Sequence, residues 1–280
     1  MIRRILLPLD ADDDTNVAIH YAVDIARRHD AEITGMAVVD TQGIEGSSTG
    51  GGIGSFYYAE KLRERLTTET RETAQKLIRS FTDVMDERGI RSRNAVEEGV
   101  PFERIVEEAK YADLLIVGRN PHFFYGHPNE RTETLARVVK ESGCPVLTVL
   151  DPVKPIERVL VAYDGSDAAA RTVRQFAQLK PFGDSVAVHV LTVAKNARDE
   201  GDAQIHLANL RSFLEAHGLP TTTTFATGIP FEQIRAHADS TGADAILAGA
   251  HAVSKLKRFA FGSTTASLIE NESRPLFLHH

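Results

Sequence analysis

The sequence predicts an α/β protein of two tandem domains, each an open five-stranded parallel sheet with helices on both faces. First, short apolar runs alternate with amphipathic segments, an order typical of parallel strands joined by right-handed helical crossovers. Second, 280 residues suit two domains of ordinary size. Third, the two halves repeat one another. We assign the domains to residues 1–151 and 156–280, joined by the proline-containing segment 151–155.

The repeat is clearest in the last third of each half. GVPFERIVEEA at 99–109 matches GIPFEQIRAHA at 228–238 in six of eleven positions, 129 residues apart. The starts, RRILLPLDADD at 3–13 and ERVLVAYDGSD at 157–167, lie 154 residues apart. The first half therefore carries about 25 extra residues in its middle. We place them in a Gly/Ser-rich insertion at 41–58, predicted to be a flexible loop, and the charged helix that follows.

Each element of the first half has its own signal. Val17, Ala18 and Tyr21 recur on one face of a helix, and Pro101 suits the first turn of another. The predicted strands of this half are 5–9, 31–39, 92–97, 114–117 and 145–150, and its helices are 15–28, 59–88, 101–111 and 132–142.

The second half has the same order of elements. Its predicted strands are 157–163, 185–193, 221–226, 244–248 and 274–279, and its helices are 167–179, 201–217, 230–241 and 262–271. Open parallel sheets bind ligands beyond the carboxyl ends of their strands, where the strand order reverses. Candidate site residues should therefore lie just after strands one, two and four of each half.

Composition excludes several classes of protein. A net charge of -7 with 25% charged residues argues against a general nucleic-acid or membrane surface. The single cysteine, Cys144, excludes an intramolecular disulfide and a cysteine-based metal site, and its apolar context predicts a buried structural thiol. The apolar run at the start is too short for a signal peptide, and no run is long enough to span a bilayer. A cytoplasmic protein is expected.

The segment 249–268, GAHAVSKLKRFAFGSTTASL, combines the residue types that phosphate binding needs. Gly249 opens a turn, a basic loop follows, and Gly262-Ser263-Thr264-Thr265 opens a helix. Glycine lets backbone N–H groups approach closely, hydroxyls donate, and a helix N-terminus attracts anions. An ordinary strand–turn–helix with a Ser/Thr cap has the same pattern, so both interpretations stay open.

With these motifs the chain resembles a tandem member of the universal stress protein family, whose fold is Rossmann-like, of the adenine nucleotide alpha-hydrolase-like type. That family carries G-x2-G-x9-G-(S/T) after strand four, around the phosphates of ATP. Here Ala252 replaces the second glycine. The resemblance implies bound ATP or ADP, with or without Mg²⁺. It implies no catalytic residue or protein metal ligand. The phosphate end would comprise Gly249, His251, Ala252, Gly262, Ser263, Thr264 and Thr265.

The resemblance also implies the rest of the nucleotide site. The family holds the ribose with an Asp at the end of strand one, a position occupied here by Asp164, after Ala162 and Tyr163. A carboxylate suits two ribose hydroxyl donors, although Asp164 could instead cap the next helix. Val190 matches a position whose backbone contacts adenine, or is plain core.

The first half keeps weaker equivalents of this site. Pro121 and Arg131 replace the second and third glycines, and Glu133 would repel phosphate. Arg119 and Arg131 could add cationic contacts. The nucleotide is therefore expected mainly in the second domain. The weaker candidates are Asp10, Val38, Gly118, Thr132 and Thr134.

Two other clusters have alternative interpretations. Asp10, Asp12, Asp13 and Asp14 suggest a divalent-metal site or, more simply, a solvated helix start where acids favour the dipole. The aromatic run 123–125 would pack against the other domain or cover the vacant pocket of the first half.

We therefore expect a stress-response regulatory protein that binds an adenine nucleotide with little or no hydrolysis, since no catalytic motif is evident. A nucleotide-free interaction module of the same fold, which would use 41–58, and a slow ATPase are the alternatives. The resemblance implies that strands 145–150 and 274–279 pair in an intramolecular pseudo-dimer. A homodimer and an unknown protein partner stay open, while nucleic-acid and membrane partners are not expected.

Overall fold

In the part of the chain that the structure describes, the strands and helices of the first half follow the order that the sequence predicts. The structure is a computed structural model, and it describes residues 1–11, 13–41, 44, 55–119, 131–196, 198, 200–250 and 262–280. The elements of this half are β1 (Arg4–Pro8), α1 (Asp13–His29), β2 (Glu32–Val39), α2 (Ser55–Arg88), β3 (Ser92–Glu98), α3 (Pro101–Ala109), β4 (Leu114–Gly118), α4 (Arg131–Glu141) and β5 (Val146–Val149).

The second half repeats this order. Its elements are β6 (Arg158–Ala162), α5 (Asp167–Leu179), β7 (Ala187–Ala194), α6 (Glu200–Ala216), β8 (Thr221–Thr227), α7 (Pro230–Thr241), β9 (Ala245–Gly249), α8 (Ser263–Asn271) and β10 (Leu276–His279).

The ten strands form one continuous sheet in the order β3-β2-β1-β4-β5-β10-β9-β6-β7-β8. Neighbouring strands are parallel within each half, which confirms the predicted α/β class. The halves meet where β5 and β10 pair antiparallel, with Leu147 opposite Phe277 and Thr148 opposite Leu276. We call this strand pair and the turns that flank it the seam.

Several element boundaries follow from single residues. The Ser166 side chain caps α5 by accepting from the Ala169 N–H at 3.2 Å, and Pro101 and Pro230 begin α3 and α7. Other boundaries differ from the prediction. The long helix α2 begins at Ser55 rather than at 59, so the end of the predicted insertion loop is helical. The predicted strands 145–150 and 274–279 are shorter, because Pro145 and Pro275 have no N–H to pair.

The hydrophobic core does not stop at the seam. One cluster of buried side chains under α1 and α5 contains Leu147 of the first half together with Phe176 and Phe277 of the second. The two domains therefore share buried surface as well as a sheet. No helix in the described part of the chain is long and apolar enough to cross a membrane.

The structure confirms that Cys144 is a buried thiol. Burial raises its pKa to about 12, so the unreactive protonated form persists through pH 8 to 10. We expect the native protein to show almost no reaction with a chromogenic disulfide reagent at pH 8, and one thiol per chain to react once guanidinium unfolds it. Rapid reaction of the folded protein would contradict this assignment.

Candidate functional site

A cleft of about 160 Å³ opens beyond the carboxyl ends of β6, β7 and β9. Strand order reverses between β6 and β9, because β7 lies on the other side of β6. The cleft therefore lies where an open parallel sheet binds its ligands. The cleft brings together six of the predicted residues: Ala162, Tyr163, Asp164, Gly249, Thr264 and Thr265. The rest of its lining is Leu191, Val193, Pro230, Ile234 and Ala248.

Asp164 lies exposed at the rim of this cleft, two residues after the end of β6. Its Oδ1 accepts a hydrogen bond from the Ser166 N–H at 3.0 Å. Because Ser166 is the cap of α5, the alternative that Asp164 caps this helix is wrong. Beside it, burial and then the Asp164 charge raise the pKa of Tyr163, which keeps its phenol protonated.

The first turn of α8 forms the opposite end of the cleft. Its N-cap residue is Gly262, which has no side chain to satisfy the first N–H groups, and no acidic residue lies in this turn. Ser263 is exposed and Thr264 half-buried. Thr265 is buried, and its hydroxyl donates to the Gly249 carbonyl at 3.0 Å, so this hydroxyl is already used as a donor.

Gly249 allows close packing between the end of β9 and helix α5. A Cβ at this position would lie 2.5 Å from the Ala169 nitrogen and 2.9 Å from the Ala168 carbonyl carbon. The first glycine of the predicted signature therefore lets α5 approach the end of β9. Gly118 is equivalent in the first half, where a Cβ would lie 2.5 Å from the Asp14 Cβ.

Val190 is not brought to the cleft. It is fully buried in the middle of β7, paired with Val161 on one side and Thr223 on the other. Leu191 and Val193 line the cleft instead. These residues, with Pro230, Ile234 and Ala248, could not be recognised in the sequence, since apolar lining residues look like ordinary core.

A second cleft, of about 260 Å³, adjoins the first and shares Tyr163, Asp164 and Val193 with it. It lies toward α6, which contributes Ala203 and the exposed His206. The Thr192 hydroxyl, also in its lining, is buried without a hydrogen-bond partner. Sequence patterns did not single out Thr192 or His206, because neither belongs to a recognisable motif.

The first half differs at the position equivalent to Asp164. Asp10 is only 3% exposed, and its Oδ1 accepts from the Ala11 N–H at 2.7 Å. Its backbone N–H donates to the Thr15 hydroxyl at 2.9 Å. The prediction of a solvated acidic helix start is therefore wrong for Asp10. Val38 is also buried, within β2.

The sequence suggested that Arg119 adds a cationic contact at the loop of the first half. The structure places its guanidinium elsewhere. The residue is 8% exposed, and its guanidinium reaches across the seam to the carbonyl oxygens of Glu272 and Arg274. Burial lowers its pKa to about 10, which still leaves it charged at neutral pH.

Several predicted residues lie outside the described part of the chain: His251, Ala252, Asp12 and the aromatic run 123–125, together with the side chains of Thr132 and Thr134. Within the described ranges, no three His, Cys, Asp or Glu side chains come together as a metal site requires.

A larger open groove, of about 540 Å³, lies at the opposite edge of the sheet. Tyr21 and Arg28 of α1 line it together with Lys154 of the linker and residues at the starts of β6 and β7. It faces the amino ends of the parallel strands, so we do not assign the nucleotide to it.

The repeat, the strand order and the cleft agree with a family comparison. The model of the universal stress protein family matches residues 1–149 and again 155–278. The chain belongs to the universal stress protein family. Both matches together span nearly the whole chain, so its two halves are two copies of the family's domain.

Members of the family with the same tandem length resemble the whole chain. The universal stress protein Slr1230 of Synechocystis sp. is 25% identical over 288 aligned positions, covering 98% of this chain and 99% of that protein. A universal stress protein structure from Archaeoglobus fulgidus superposes with a TM-score of 0.73 at 20% identity, covering 99% and 95% of the two chains. A putative universal stress protein from Pseudomonas aeruginosa gives 0.64 at 14% identity, covering 99% and 93%. At these identities the structures support the fold alone.

Proposed function

We propose that this universal stress protein is a stress-response regulator that binds ATP or ADP in the cleft of its second half. The observation that carries the proposal is the pairing of two chemical features across one cleft. Asp164 lies at one end and the uncapped first turn of α8 at the other. A carboxylate accepts from ribose hydroxyls, and a helix N-terminus with hydroxyl side chains favours phosphate oxygens.

The apolar part of the cleft supports an aromatic base. Leu191, Val193 and Ile234 present hydrocarbon surface between these two ends, as nucleotide pockets commonly do. Phosphate oxygens can coordinate Mg²⁺ with few protein ligands, because this ion retains several water molecules in its coordination shell. We therefore propose a nucleotide with or without Mg²⁺.

We propose binding with little or no turnover. Among the described residues that line the two adjoining clefts, Asp164 is the one with a carboxylate. Hydrogen bonds from the ribose hydroxyls would occupy that carboxylate. Hydrolysis requires a group that orients or deprotonates the attacking water. A nucleotide that persists would act as a regulatory ligand, since it stabilises whichever conformation binds it better.

The first test is the nucleotide content of freshly purified protein, released by denaturation and identified by ion-exchange chromatography with mass detection. We expect about one adenine nucleotide per chain. Asp164→Asn should weaken binding roughly tenfold or more, because a charged acceptor for the ribose hydroxyls is lost. No nucleotide, and no binding when ATP and Mg²⁺ are added, would overturn the proposal.

Ser166→Ala is the matched control for Asp164→Asn. It removes the cap of α5 two residues away and should cost about 1 kcal/mol of stability, yet it leaves the Asp164 carboxylate in place. Nucleotide affinity should therefore stay near the wild-type value. Equal losses in both variants would mean that Asp164 acts through the fold of this turn.

One observation favours a second role in protein interaction. The first turns of α2 carry large apolar side chains with high exposure: 60% for Tyr57, 75% for Tyr58 and 45% for Leu62. The first buried side chain in the range 57–88 is Ala74. An exposed apolar patch of this kind is typical of a contact surface, and it would remain if the chain bound no nucleotide.

A further inference from the structure

We propose that Arg119, which belongs to the first half, is a positioning residue for the nucleotide site of the second half. It holds the C-terminal end of α8, whose first turn faces the cleft. The inference rests on the proposed function and names a residue outside the binding domain on which that function depends.

The contacts of Arg119 are those of a helix cap supplied from another domain. Its guanidinium donates to the carbonyl of Glu272, the C-cap residue of α8, and to the carbonyl of Arg274 in the next turn. A cation at this end satisfies carbonyls that have no partner within the helix and also favours the helix dipole.

The turn that Arg119 contacts is itself held firmly. Glu272 is 4% exposed, and its Oε1 accepts from the Ser273 N–H at 2.8 Å and from Arg274 Nη1 at 2.8 Å. Arg274 Nε donates to the Ala243 carbonyl at 2.8 Å, and its Nη2 pairs with Asp239 of α7. Removing Arg119 would leave the Glu272 charge buried beside one cation instead of two.

The helix can transmit a displacement from the turn to the cleft. At nine residues α8 is about 13 Å long, short enough to move as a rigid body. Its other end carries Thr264 and Thr265, which line the cleft. A shift at Glu272 would therefore move the N–H groups and hydroxyls that face the phosphates.

The residue of the second half that is equivalent to Arg119 cannot make the reverse contact. Aligning the halves at Gly118 and Gly249 puts Ala250, which is fully buried, in the place of Arg119. Near the last strand the offset between the halves is one residue smaller, and aligning Pro145 with Pro275 puts Ser142 and Cys144 in the places of Glu272 and Arg274. An alanine has no side-chain donor, so this support runs in one direction, toward the half with the more complete nucleotide loop.

The test measures ATP affinity and amide hydrogen exchange of 263–271 in the full chain. Arg119→Met keeps the apolar stem and removes the donors. We expect roughly tenfold weaker ATP binding, within the usual range of coupling between sites, and faster exchange in α8. Arg119→Lys should give intermediate values, because an ammonium keeps the charge but loses the planar fork.

Met85→Ala is the control for lost stability. Met85 is fully buried in the first half, on α2, which packs on β2 and β3. The Met85→Ala substitution should lower the melting temperature without changing ATP affinity or the rate of hydrogen exchange in α8. If the Arg119→Met variant binds ATP with the same affinity as the Met85→Ala variant, the inference is overturned. If the wild type binds no nucleotide, the proposed function fails, and exchange in α8 alone decides whether Arg119 positions this helix.

Discussion

Gly249→Ala should destabilise the protein by about 3 kcal/mol, a large cost for a single added methyl group. The new Cβ would lie 2.5 Å from the Ala169 nitrogen and 2.8 Å from its Cα. These are backbone atoms of α5 and cannot rotate away. Strand β9 cannot retreat either, since it pairs with β6 and β10. Urea denaturation would measure the loss, and ATP affinity should fall as well, because α5 begins three residues after Asp164.

Gly262→Ala is the matched control, since it adds the same methyl group to the other retained glycine of the loop. No atom of the described residues lies within 4 Å of the added Cβ, and the backbone φ of -53° suits any residue. Stability should change by no more than about 0.5 kcal/mol. Any loss of ATP affinity would then report close approach of phosphate to this backbone. A Gly249→Ala variant as stable as wild type would contradict the packing role.

The two glycines explain why the halves diverged unevenly. Gly118 and Gly249 both end strand four, and each is required by close packing against the first helix of its half. Among the described residues none comes within 4 Å of a Cβ built on Gly262, and its equivalent in the first half is Arg131. Packing thus preserves the first glycine in both halves. If the second half binds phosphate as proposed, that role accounts for its third glycine, Gly262.

Helix ends and repeats could be predicted from the sequence because local residues determine them. The predicted limits of α5 and α7 agree with the structure, since Ser166 caps one and Pro230 begins the other. The start of α2 at Ser55 was missed, because the Gly/Ser-rich run beside it hid the helical signal.

The site could be predicted only where residues carry distinctive chemistry. Asp164 and the threonines of α8 meet at the cleft as the motif implies. The apolar lining was missed, and the side chain of Val190 lies in the core rather than in the lining. Arg119 was assigned to the wrong loop contact, since its partners lie 153 and 155 residues away in sequence. Such partners emerge only when the two halves are placed against each other.

Phe277→Ala should destabilise the chain by about 4 kcal/mol and lower its melting temperature by roughly 10 °C. Phe277 is fully buried and pairs with Leu147 across the seam. Its ring packs edge-on against Phe176, with centroids 5.6 Å apart, a geometry that adds to the hydrophobic term. Alanine would leave a cavity between β10 and α5. Calorimetry with circular dichroism would measure the shift.

The shape of that transition tests whether the two halves are one folding unit. A sheet and a core cluster that both cross the seam should make the chain unfold in a single step, so Phe277→Ala should move one transition as a whole. Phe277→Leu keeps most of the apolar volume and should cost less than about 1.5 kcal/mol. Two transitions, with only one displaced by the alanine, would mean that each half is stabilised by a separate core. Arg119 would then join domains that unfold independently.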